Sequence, residues 1–174
     1  MKLGYLGPRT NSEIAAKSLN RDFEHVVLGS MDEVIKSLSI NRVDRILIPV
    51  KNSVTGLIEN YLQRIEDYKF KVVDEITVPI KHSFAVARNR KSVGFIMSHG
   101  QVLKQCADYL EKNYAETYKE EMKSTDSSAR FVAEIGHGAA IAPLETCRYY
   151  GLIVKDEDIV KNNYSLFYIC KKWW

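Results

Sequence analysis

The chain has 174 residues, 45% of them hydrophobic and 27% charged, with 25 Lys+Arg against 22 Asp+Glu. That balance excludes a disordered segment, a collagen-like fibre and a disulfide scaffold, and a chain of this length buries a core without staples. Basic residues are scattered and nowhere exceed a run of two, as at Lys171-Lys172, so nucleic-acid binding has no support. The three cysteines, Cys106, Cys147 and Cys170, lie far apart and read as buried, reduced thiols of a cytoplasmic protein. No stretch approaches ~18 consecutive apolar residues, so no membrane partner is expected. The N-terminus opens directly on a strand-like run, with no signal-peptide pattern.

In chain order, Lys2 to Leu6 reads as a strand ended by Gly7-Pro8. An apolar-periodic helix follows, with Asn11 or Ser12 as its N-cap and Glu13 in its first turn. Val26 to Leu28 is a second strand. Met31 to Ile40 is a helix with Val34, Ile35 and Leu38 on one face. Arg45 to Val50 is an apolar strand ended by Pro49, and Val54 to Ile65 has helical period. Strand-like runs follow at Lys71 to Val78, Ser83 to Ala87 and Val93 to Met97. Gln101 to Tyr114 is a helix with Leu103, Cys106 and Leu110 inward, and Ser127 to Ile135 is another. Ala139 to Ala142 is a small-residue strand. Leu144 to Tyr149 is a short helix closed by Gly151, and Leu152 to Val154 and Ser165 to Cys170 are the last strands.

This alternation predicts an α/β fold with mainly parallel sheets. The strands are too many for one small sheet. Two lobes with an interlobe cleft are therefore expected, residues 1–78 with 156–174 forming the first and 79–155 the second.

No zinc pattern, GxGxxG, P-loop or GxSxG elbow is present, so neither a metal nor a cofactor is indicated. Four strand-to-helix junctions are instead rich in small polar groups: Gly7 to Glu13, Pro49 to Gly56, Ser98 to Gln101 and Ser124 to Ala129. Any one of them reads as a helix cap. Four together, with Arg9 and Lys51 nearby, suggest a small organic di- or trianion held by helix N-termini at the carboxyl ends of strands. His99 alone reads equally as a packed histidine and as a ligand contact.

In order and spacing these junctions resemble the prephenate dehydratase family over almost the whole chain. Its Gly-Pro-x-Gly-Thr-Phe-Ser-Glu opening stands here one residue shorter, as Gly7-Pro8-Arg9-Thr10-Asn11-Ser12-Glu13. Its Pro-x-Glu-Asn-Ser-x-x-Gly stands as Pro49-Val50-Lys51-Asn52-Ser53-Val54-Thr55-Gly56. Ile-x-His appears as Ile80-Lys81-His82, and Ser-His-Pro-Gln-Ala-Leu-x-Gln-Cys as Ser98 to Cys106 with Gly100 in place of Pro. Ser-Thr-x-x-Ala falls on Ser124 to Ala129. The resemblance implies a periplasmic-binding-protein-like (type II) fold that takes prephenate, a homodimer, and no cofactor. Members commonly carry a regulatory ACT domain after this one. The 174 residues include none, so phenylalanine feedback through such a domain is not expected.

The resemblance further implies substrate binding by Thr10, Ser12, Asn52, Ser53, Ser98, Gln101, Ser124, Leu166 and Phe167, and catalytic work by Ser165, Thr125 and His99. Two departures stand out. The family's Asn-x-Thr-Arg-Phe reads here Asn163-Tyr164-Ser165-Leu166-Phe167, and its Glu before Asn-Ser is Lys51. Ser165 still supplies a hydroxyl, but Leu166 cannot replace a guanidinium. Ser-Leu-Phe at this place is similar to the non-aromatising prephenate decarboxylases of antibiotic and peptide pathways. The leading expectation is therefore a cytoplasmic prephenate carboxy-lyase giving a dihydro-4-hydroxyphenylpyruvate. A stand-alone dehydratase giving phenylpyruvate and an inactive prephenate-binding module are the alternatives.

Overall fold

The computed structural model describes residues 1–19, 22–88 and 93–173. The chain forms two compact units, Met1–Ile80 with Asn163–Trp174, and Lys81–Asn162. The first contains β1 (Lys2–Leu6), α1 (Asn11–Ser18), β2 (Glu24–Leu28), α2 (Met31–Ser39), β3 (Arg45–Asn52), β4 (Gly56–Leu57), α3 (Glu59–Asp67), β5 (Phe70–Pro79) and, from the chain end, β11 (Tyr164–Lys172). The second contains β6 (Ser83–Val86), β7 (Phe95–His99), α4 (Gly100–Gln105), α5 (Ala107–Tyr114), β8 (Tyr118–Met122), α6 (Thr125–Ile135), β9 (Ala139–Ala142), α7 (Leu144–Tyr149) and β10 (Ile153–Asp156).

The sheet of the first unit has the order β2-β1-β3-β11-β5, with β4 beside β3; that of the second is β10-β6-β9-β7-β8. The class is the expected two-sheet α/β type, but each sheet is mixed. β1 pairs in parallel with β2 and β3, whereas β11 is antiparallel to both β3 and β5. β7 is parallel to β8 and β9, whereas β6 is antiparallel to β9 and β10. The reason lies in the connections. β5 leads to β6, and β10 to β11, without an intervening helix, and only a crossover of that kind enforces parallel pairing.

Alternation along β3 shows how the sheet divides the core. Ile46 and Ile48 enter one cluster with Val34, Ile35 and Leu38 of α2, while Leu47 enters the other with Leu3, Tyr5 and Ala15. The second unit likewise has a cluster on each face, around Phe84 and Ile96 and around Ala140 and Val132. Cys170, Cys106 and Cys147 are fully buried, and burial pushes each thiol up to about 12.

Several local expectations are corrected. Pro49 does not end β3, which runs to Asn52. The ladder with β11 skips Val50, setting Lys51 against Leu166 and Pro49 against Phe167, and this irregularity accommodates a residue with no N–H to donate. The helix expected from Val54 begins only at Glu59, because a turn and β4 occupy 53–57 and Gly56 adopts φ +82°. The helix expected over 101–114 is two helices meeting at Cys106, whose ψ of 12° breaks the run. β8, of sequence Tyr-Lys-Glu-Glu-Met, gave no apolar signal because it is a polar edge strand. Thr10, not Asn11 or Ser12, caps α1.

Candidate functional site

In the first unit, the carboxyl ends of the parallel strands β1 and β3 lie beside the start of the antiparallel β11, which sets Ser165 directly opposite Asn52. Asn52 is buried and fully engaged. Its Nδ2 lies 2.6 Å from Asn163 Oδ1, 3.0 Å from the Tyr164 carbonyl and 3.0 Å from Ser165 Oγ. Its Oδ1 accepts from the backbone N–H groups of Val54 and Thr55 at 2.9 and 3.2 Å. That second pair of bonds holds the turn which displaces the expected helix start, since an Asn side chain offers the backbone a local alternative to helix. Ser53 adds a further clasp: its Oγ accepts from Tyr164 N–H at 3.0 Å.

Ser165 Oγ is thus an acceptor for Asn52, which leaves the hydroxyl proton available to another partner. Leu166, half-buried against the α2-side core, lies across β3 from Lys51 and across β5 from Thr77. The two departures from the family pattern, at positions 51 and 166, therefore form a single cross-strand pair. Phe167 is 2% exposed and packs with Leu3, Tyr5 and Leu47, so its side chain serves the core. Thr10 caps α1, accepting from Glu13 N–H at 3.3 Å and donating to the Leu6 carbonyl at 2.6 Å, and Ser12 is buried beside it.

In the second unit, β7 and β8 run in parallel with His99 opposite Met122, and each feeds a helix from the same edge. This brings His99, Gln101, Ser124 and Thr125 to one end of the sheet. Ser124 closes a capping box with Ser127, taking its N–H at 3.0 Å and offering its own N–H to Ser127 Oγ at 3.1 Å. Thr125, the first residue of α6, is mostly buried, and no bond among the described residues holds its hydroxyl. Ser98 is fully buried and donates to the Ile141 carbonyl at 2.6 Å, so its hydroxyl ties β7 to β9.

His99 Nδ1 accepts from Gln101 N–H at 3.2 Å, which places the proton of the neutral ring on Nε2. Burial pushes its pKa down, and the nearby Glu121 carboxylate offsets part of that. Glu121 also occupies the space above Gly100, where a Cβ would meet its carboxylate at 2.3–2.5 Å. The family's proline at this position could enter only if that side chain swung away.

Two buried residues belong with these clusters and were not among the expected site residues. Asn163 anchors the Asn52 network, and its signal was the Asn two residues before Ser165. His82, fully buried, has Nε2 at 2.6 Å from Gln105 Oε1, while its Nδ1 has no partner among the described residues. Its signal was the Ile-x-His triplet. Burial pushes the His82 pKa down, countered by the Gln105 bond. Both imidazoles thus titrate below the ordinary 6.5 when folded. Below that pH the unfolded chain takes up protons first, so stability is lost as pH falls from 6.5 toward the folded values and is kept above it. Urea unfolding across pH 8 to about 5 is expected to show this decline, and a His82→Gln variant to flatten it.

Among the described residues no helix is long and apolar enough to cross a membrane, and no three His, Cys, Asp or Glu side chains are grouped to hold a metal.

The sequence profile of the prephenate dehydratase family matches residues 3–172. The prephenate dehydratase of Lactococcus lactis subsp. cremoris is 29% identical over 178 residues, covering 99% of this chain; the chain spans 64% of that enzyme's length. The crystal structure of prephenate dehydratase from Arthrobacter aurescens in complex with L-Phe superposes with a TM-score of 0.81 at 23% identity, over 99% of this chain and 60% of that one. A putative methionine-binding lipoprotein of Bacillus subtilis shares the fold at a TM-score of 0.60 and 14% identity, over 99% of this chain and 83% of that one. With a profile match over nearly every residue and the strand-end junctions in the family's order, the chain belongs to the prephenate dehydratase family.

Proposed function

We propose that the chain is a cofactor-free lyase acting on prephenate, and that it removes the ring carboxylate while keeping the ring hydroxyl. The observation that carries this reading is the Lys51–Leu166 pair. Where the family motif sets Glu and Arg, this chain sets a lysine against an apolar side chain, and the fixed guanidinium is gone.

Prephenate loses carbon dioxide readily when hydroxide departs from the far ring carbon, because the ring becomes aromatic. Dehydration therefore needs an acid at that hydroxyl. Decarboxylation without dehydration breaks the carboxylate C–C bond, sends its electron pair into the ring, and places one proton on the resulting diene. A weakly paired carboxylate in an apolar setting favours that step, because its charge must leave it in the transition state. Leu166 supplies such a setting. Ser165, Thr125 and the Nε2–H of His99 are the hydroxyl and imidazole groups that orient substrate or move the proton. Asn52 acts through Ser165 as a positioning residue, and prephenate is the partner small molecule. A cytoplasmic homodimer in secondary-metabolite synthesis accords with this reading.

Two observations favour ordinary dehydration to phenylpyruvate: Ser165 keeps its proton free in the place of the family's threonine, and the curated relatives compared are dehydratases. Freshly generated prephenate mixed with the protein at mildly alkaline pH separates the two. A product that has lost carbon dioxide but retained water, without phenylpyruvate enolate absorbance, is expected. Phenylpyruvate formed above the uncatalysed background would overturn the decarboxylase assignment.

A further inference from the structure

α4 has six residues, about 9 Å of helix, and carries His99 and Gln101 at its amino end. The ψ of 12° at Cys106 separates it from α5, so α5 does not fix its direction as a continuous helix would. β7 leads into its first residue. Its last residue, Gln105, is buried and meets His82, the residue before β6, with 2.6 Å between Oε1 and Nε2. The bond ties the far end of α4 to a strand two places from β7 in the sheet, beyond β9.

The chemistry of this bond suits location better than stability. A carbonyl oxygen only accepts, so the ring proton stands on Nε2, and Nδ1 keeps a lone pair with no partner among the described residues. The pair gives up the hydration of an imidazole and an amide for one bond and leaves a nitrogen unsatisfied. Phe84, Val102 and Cys106, from the same segments, share one apolar cluster. Two apolar side chains at positions 82 and 105 would extend that cluster without the cost. They would lack direction, because a hydrogen bond fixes distance and angle and apolar contact does not. His82 is fully buried, so it does not itself meet substrate.

We propose that His82 and Gln105 are positioning residues, whose bond sets the direction of α4 and thereby the placement of His99 and Gln101. The effect on turnover rests on the site proposed above; the link from position 82 to His99 does not.

The test replaces both residues, His82→Leu with Gln105→Leu, beside His82→Gln, whose side-chain amide can still donate to Gln105. Three quantities are read: the urea midpoint, the titration of His99 by NMR, and prephenate consumption, whichever product forms. The double variant is expected to unfold at the parent's urea concentration or above. Its His99 pKa is expected to rise toward 6.5, as the loosened helix start exposes the ring. Its kcat is expected to fall about tenfold with KM changed less than about twofold, while His82→Gln keeps the parent's kcat and His99 titration. A merely structural pair would lower the midpoint and leave His99 and kcat as they were, and that outcome overturns the proposal. So does an unmoved His99 titration in a double variant of parental stability. Gln105→Met breaks the bond at similar side-chain length, and the same His99 titration decides the matter there if the double variant does not fold. A moved His99 titration with unchanged turnover upholds the link and overturns the role of His99 in the reaction.

Discussion

Asn52→Ala is expected to destabilise the first unit by about 2–4 kcal/mol and to lower turnover by about a hundredfold. The side chain joins β3 to β11 through three acceptors and holds the 54–55 turn through its carbonyl, so removal unlinks two segments at once. It also removes the buried bond to the Asn163 side-chain carbonyl. Ser165→Ala separates the two effects. It removes one of three acceptors, so unfolding in urea is expected to change by less than about 1 kcal/mol while turnover still falls. An Asn52→Ala protein as stable and as active as its parent would contradict both the network and the role of Ser165.

The second large effect concerns product identity. Leu166→Arg alone puts a guanidinium directly opposite Lys51, a like-charged neighbour that disfavours the strand pairing. Lys51→Glu with Leu166→Arg restores an opposite-charge pair, worth about 0.2–1 kcal/mol across the strands. The double variant is expected to form phenylpyruvate at least about tenfold faster than the parent, as a guanidinium held by an opposite charge returns to the place the family motif gives it. Product ratios by mass spectrometry decide it. A double variant with the parent's product ratio would remove the pair as the determinant of outcome.

The two-sheet class was legible in the sequence because each strand of the interior, such as Arg45 to Val50, carries an apolar run that no helix period explains. Pairing direction was not legible, since nothing local distinguishes β11 antiparallel to β3 from a parallel neighbour. The polar edge strand β8 escaped for want of buried side chains, and the break at Cys106 because apolar periodicity continues through it. At the candidate site the residue types were visible but their engagement was not. Asn52 and Ser98 read as helix caps or substrate contacts, and only the fold shows one clasping β11 and the other bound to Ile141. That Lys51 and Leu166 face each other over more than a hundred residues of sequence is a fact of register alone.

The three thiols are distributed so that Cys170 lies in the first unit and Cys106 and Cys147 in the second, each in a different apolar cluster. Held up near 12 and sealed from solvent, none is a nucleophile at neutral pH while its cluster stays closed. Alkylation at any of them therefore keeps time with the opening of its own cluster, so the chain carries native clocks for the breathing of each unit and needs no engineered probe.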